Sequence, residues 1–210
     1  MWSNVWTNER AERSARSRHT IALRSRLLLA VSCAALLFSA CAKQQLGQAS
    51  PKSEGVTVLS SELAGHIAQI AEKSPTFRAS WQKLHSSGVP IRIGTDRQLH
   101  AELPSRYRKQ PRNWTAVTLA RGRTGNLSHV VVALNENAME IIAERAASGD
   151  EYMKGELDRV LIHEIYGHVV PVVEARDMSK GCPDAPRPGE SRSCVSIREA
   201  EIAAELGTLN

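Results

Sequence analysis

The chain has 210 residues, 42% hydrophobic but only 4% aromatic, with 27 Lys and Arg against 22 Asp and Glu and four cysteines. That length suits a single domain with a mostly aliphatic core, and ordinary apolar content without repeats excludes a disordered chain and a solenoid. The formal charge of +5 misleads, because six arginines and only two acids fall in residues 1–40 and the remainder is close to balance. A near-neutral body without interleaved basic and aromatic residues leaves no electrostatic footprint for nucleic acid.

Residues 1–40 read as an address. Arg24 and Arg26 precede an apolar run of 14 residues, Leu27 to Ala40. The run is too short for a transmembrane helix of about 20 residues but suits a secretory signal. Its ending, Phe38-Ser39-Ala40-Cys41, resembles a bacterial lipoprotein cleavage box, which would make Cys41 the lipidated first residue of the mature chain. An ordinary signal or an uncleaved anchor is the rival. Ala42 stands where an Asp would retain the protein at the inner membrane, so the resemblance implies an outer-membrane lipoprotein facing the periplasm. Residues 41–55, rich in Gln, Ser and Gly, read as a flexible tether, and residues 56–210 as the folded domain. Export leaves Cys182 and Cys194 as the only cysteine pair in that domain, and an oxidising compartment predicts a disulfide between them.

Along the domain, Ser60-Ser61-Glu62 opens a helical pattern through Leu63, Ile67 and Ile70, and Ser74-Pro75 opens a second through Phe77, Trp81 and Leu84. Val89–Ile93, Trp114–Ala120 and His129–Leu134 read as strands, and the last is expected to lie at a sheet edge. The stretch Thr95–Arg112, with two prolines and five basic residues, reads as an irregular, solvated loop. Helices are expected over Ala138–Ala147, Tyr152–Val170 and Val195–Leu206. Helices, a small sheet and further helices make an α+β domain.

One motif carries chemistry. His163-Glu164-Ile165-Tyr166-Gly167-His168 lies in a strongly apolar stretch and is the one cluster of metal-ligand residue types in the chain. Imidazoles suit zinc, and a Glu beside the first His can activate a water as general base. The usual zincin spacing is H-E-x-x-H, because helix positions four apart share a face whereas positions five apart differ by about 140°. A local π-type widening, with Gly167 best able to accept it, would bring the two histidines together.

This hexapeptide resembles the H-E-x-x-G-H motif of the dipeptidyl-peptidase III family at every fixed position. The resemblance implies a zincin-like zinc metallopeptidase in which His163 and His168 bind zinc and Glu164 is catalytic. Glu201-Ile202-Ala203-Ala204-Glu205 resembles the end of that family's second motif, which implies Glu201 as third ligand and an acid four positions on that supports the site. Glu199, on a helix face shared with Val195, Ile202 and Leu206, is an alternative. A third, by analogy with the metzincin pattern, is Glu174. Tyr166 or Tyr152 could donate to an oxyanion, while His66, His85, His100 and His129 stand alone and read as packed or surface residues.

The function expected is therefore a membrane-tethered zinc metallopeptidase acting on a peptide or protein. A non-catalytic envelope lipoprotein that uses the same fold as a binding or scaffolding module is the alternative, and a secreted metallopeptidase toxin a third reading.

Overall fold

The structure is a computed structural model that describes residues 55–109, 114–123 and 125–207. The expected signal, the lipid site at Cys41 and the tether up to residue 54 lie outside the described residues. Among the described residues no helix is long and apolar enough to cross a membrane.

The domain is α+β, with one four-stranded mixed sheet. Strand β1 (Val56–Val58) leads to helices α1 (Ser61–Lys73) and α2 (Pro75–Ser86), then β2 (Ile91–Thr95). Both helices start where their caps demand: Ser60 Oγ accepts from the Leu63 amide, and Ser74 Oγ accepts from the Phe77 amide with Pro75 in the first turn. Leu63, Ile67 and Ile70 of α1 recur at i, i+4 and i+7 and are buried. A short helix α3 (Ser105–Lys109) precedes the hairpin β3 (Ala116–Arg123) and β4 (Asn126–Leu134), and α4 (Glu136–Ala147) follows, capped by Asn135. The sheet order is β1-β2-β4-β3, parallel except for β3, which runs antiparallel to β4.

This order corrects the expected edge. His129–Leu134 lies in β4, an interior strand between β2 and β3, and Val130 to Leu134 are buried throughout, as a strand covered on both faces requires. The outer strand beside the motif is β3. Both strands of the hairpin run further than expected, and a bulge between Arg121 and Gly122 lets them do so. Gly122 has φ 147°, and a Cβ there would lie 2.2 Å from the Asn126 carbonyl oxygen, so only glycine fits.

The stretch Thr95–Arg112 is not a solvated loop. Leu99, Leu103, Tyr107 and Trp114 pack on Val117, Leu119, Val131 and Ala133, forming a second small core on the sheet face away from the main helices. Its four large residues stand four, four and seven positions apart, a helix-like spacing that Pro104 and Pro111 interrupt, with exposed basic residues between them. The larger core joins Ile91, Ile93, Val130, Val132 and Leu134 of the sheet to α1, α2 and the motif helix.

Candidate metal centre

The apolar stretch expected as one helix over Tyr152–Val170 is built in four pieces. A 3₁₀ turn (Met153–Gly155) leads into α5 (Glu156–Ile162), a π-helical segment follows (His163–Val169), and α6 (Val170–Ala175) continues past the expected end. In the π segment hydrogen bonds skip to the fifth residue, as when the Val170 amide donates to the Ile165 carbonyl. Residues five apart then stand one above the other. His163 Nε2 and His168 Nε2 are 3.2 Å apart. Pro171, which has no N–H to give, falls in the first turn of α6, where the helix tolerates it.

The segment owes its shape to its neighbour α7 (Cys194–Leu206) as well. A Cβ on Gly167 would come 2.8 Å from Val195 Cγ1, so the glycine is required by close packing of α7 on the π turn. Arg198 of α7 donates from Nε to the Tyr166 carbonyl at 2.7 Å and lies 4.1 Å from the Tyr166 ring centroid.

The third group beside the two imidazoles is Asp184. Its Oδ1 lies 2.9 Å from His168 Nε2 and 3.4 Å from His163 Nε2, and the three candidate ligand atoms fall within 4.8 Å of one another. This group could hold a metal ion. Asp184 sits in the loop closed by the disulfide Cys182–Cys194, whose Cα atoms are 5.2 Å apart. The sequence reading found the disulfide and missed the aspartate. The available signal was its place, two residues after a bridged cysteine in the segment joining the motif helix to the Glu-bearing helix.

Each expected carboxylate has another task. Glu201 accepts from the Tyr166 hydroxyl at 2.7 Å and is not beside the histidines. Burial and that bond push the Tyr166 phenol up to about 12. Glu199 approaches the other side of the first ring, its Oε1 2.8 Å from His163 Nδ1, where a carboxylate orients an imidazole and does not share its Nε2 partner. Glu174 is an exposed partner of Lys83, 3.4 Å away. Glu205, expected to support the site, accepts instead from the hydroxyls of Ser74 and Thr76 at the start of α2, and those bonds hold its carboxyl below the usual range. Tyr152 is 64% exposed under Arg159.

His163, Glu164 and His168 are 7%, 3% and 6% exposed, so their charges need partners. Burial alone would push the His163 ring toward its neutral form, but hydrogen bonds to Asp184 and Glu199 outweigh it and raise its pKa to about 10. Burial likewise opposes the Asp184 carboxylate, yet bonds from both imidazoles hold its pKa well below the usual carboxylate range. Both results describe one field: carboxylates converge on the imidazoles, and the concentration of negative potential favours a cation. Glu164 is satisfied differently, by the Thr118 hydroxyl of β3, which donates to Oε2 at 2.6 Å. Of the four isolated histidines, His66 pairs with Asp158 at 2.7 Å and His85 meets the Trp81 ring edge-on.

No protein-family model, curated protein or solved structure matches this chain.

Two outcomes test this geometry. Asp184→Ala should weaken divalent-metal affinity by at least about 10²-fold, the upper end for loss of a mere supporting group, while Glu201→Ala should leave it within a few-fold. Competition with a chromogenic chelator measures both. Gly167→Ala should cost about 1–3 kcal/mol through overpacking. In the Gly167→Ala/Val195→Ala double variant much of that cost should vanish, a coupling of about 1 kcal/mol read by urea unfolding.

Proposed function

We propose that this chain is a zinc metallopeptidase of the zincin kind, in which His163, His168 and Asp184 hold the metal and Glu164 is the general base. The observation that carries the reading is the convergence of two imidazole nitrogens and a carboxylate oxygen within 4.8 Å, with the buried carboxylate of Glu164 adjacent in sequence to His163. Two histidines and a carboxylate are the ligand types of a hydrolytic zinc site, which keeps a further position open. Zinc held by His163, His168 and Asp184 would supply Lewis acidity, polarising a carbonyl and lowering the pKa of a water toward 7.

The chain's own residues do the rest. With Nδ1 of His163 donating to Glu199, the ring keeps its Nε2 lone pair directed at the site. Thr118 holds one oxygen of Glu164, which leaves the other to take a proton from the attacking water and return it to the departing amine. Because Thr118 belongs to β3, the same edge strand that steadies the base offers its outer side to a substrate. An extended peptide adding there as a further strand would be aligned beside Glu164. The reading includes an exported, envelope-located protein held by lipid on Cys41, supported by the signal-like run before that residue.

A second reading draws on the same contacts. His163, with a pKa of about 10, is also a cation clamped between Asp184 and Glu199, which would suit a metal-free scaffold. Metal analysis separates the two: one zinc per chain, lost in His168→Ala, supports the enzyme, and a folded chain without metal at physiological zinc supports the scaffold.

Glu164→Gln should keep its zinc and lose at least about 10²-fold of peptide hydrolysis, since only proton transfer is removed; hydrolysis at the original rate would remove Glu164 from the mechanism. Cys41→Ser should shift the protein from the membrane fraction to the soluble fraction. If it stays with membranes and mass analysis finds the N-terminus intact, the lipoprotein assignment fails.

A further inference from the structure

A cluster of exposed cations stands beside β3. Helix α3, Ser105-Arg106-Tyr107-Arg108-Lys109, places three cations around one buried aromatic residue. Tyr107 anchors it: the ring packs with Val117 and Leu119 of β3 and meets Trp114 edge-on at 5.5 Å, and the Trp114 indole donates to the Tyr107 carbonyl at 3.3 Å. Arg106 lies 5.0 Å from the centre of that ring. Because Tyr107 packs with Val117 and Leu119, α3 lies against β3 on the sheet face opposite the one from which Thr118 reaches Glu164. Arg106, Arg108 and Lys109 are exposed, and among the described residues neither Arg108 nor Lys109 forms an ion pair. Arg123 adds a fourth exposed cation at the far end of the strand. The acid nearest to this segment in sequence, Glu102, is already engaged by Arg92 and, through its carbonyl, by Arg121.

β3 ends the sheet, so its outer backbone groups face no other strand among the described residues. An open edge recognises any extended chain through its main-chain hydrogen bonds, and the flanking side chains must supply the choice of sequence. Here those side chains are cationic.

We infer that β3 receives an extended segment rich in Asp and Glu, selected by Arg106, Arg108 and Lys109 beside the strand, so that the substrate class of this site is acidic peptide. The inference rests on the metallopeptidase reading above and narrows it. Acidic peptide is favoured over nucleic acid because the cations stand beside an open strand edge, whose main-chain groups pair with a peptide backbone.

The test uses the full chain carrying Glu164→Gln, which prevents turnover, with zinc supplied. Fluorescein-labelled ten-residue peptides with one shared apolar centre and acidic, neutral or Lys-rich flanks are titrated and followed by anisotropy. An oligonucleotide of equal negative charge is titrated alongside. The acidic peptide should bind at least about 10-fold tighter than the neutral one at low salt, the sum expected of three modest exposed charge contacts. The gap should close as salt is raised. Adding Arg106→Gln, Arg108→Gln and Lys109→Gln should abolish the gap and leave the neutral peptide's affinity within about two-fold, because exposed helix positions accept Gln. Removing three cations elsewhere, with Lys83→Gln, Arg145→Gln and Lys154→Gln, should leave the gap in place. Equal binding of acidic and neutral peptides overturns the acidic preference and leaves the peptidase reading standing. Binding of the oligonucleotide as tight as that of the acidic peptide also overturns it, and failure of all three peptides to bind overturns both.

Discussion

Two imidazoles five positions apart on one helix can meet only where the backbone leaves α geometry, and the structure depends on the place where it does so. The widened turn over His163–Val169 brings the two Nε2 atoms to 3.2 Å, and nearly every feature around it holds that turn in shape. Gly167 lets α7 approach to a distance at which a methyl group would collide with Val195. Arg198 then donates to the Tyr166 carbonyl, serving a backbone acceptor in the distorted segment. Because α7 is so close, Glu199 and Glu201 reach the π turn, one at the far nitrogen of His163 and the other at the Tyr166 hydroxyl.

The sheet supplies the opposite wall. β4 is buried on both faces and fixes the register, with Thr118 of β3 opposite Val132. That register points the Thr118 hydroxyl at Glu164, so the carboxylate is buried with a donor of its own, and the cost of taking it out of water is offset by a short hydrogen bond. The cover formed by Leu99, Leu103, Tyr107 and Trp114 lets the sheet be apolar on its second face and sets α3 beside the open edge.

The loop between the bridged cysteines completes the arrangement. Asp184 is drawn to the imidazoles by charge, while the disulfide limits how far its backbone can wander. Two carboxylates, from Asp184 and Glu199, therefore face one buried ring from opposite sides, and the imidazoles hold the Asp184 carboxyl well below the usual carboxylate range.

Local chemistry was legible in the sequence wherever neighbours in the chain decide the outcome. Ser60 and Ser74 mark helix starts, Cys182 and Cys194 are the two cysteines of the described residues and are bridged, and a five-residue spacing lets His163 and His168 meet only on a distorted helix. The α+β class follows from the order of these elements. The tertiary structure alone decided the rest. Strand order is set by pairing between distant segments, which put β4 inside the sheet and β3 at its edge. Leu99, Leu103 and Tyr107 share a helix-like spacing broken by Pro104, and what they cover is decided only by the sheet face they meet. The choice of Asp184 over Glu201 beside the histidines turns on a loop with no periodicity, closed across space. Helix phase carries Glu201 to Tyr166, and chain closure carries Asp184 to the imidazoles.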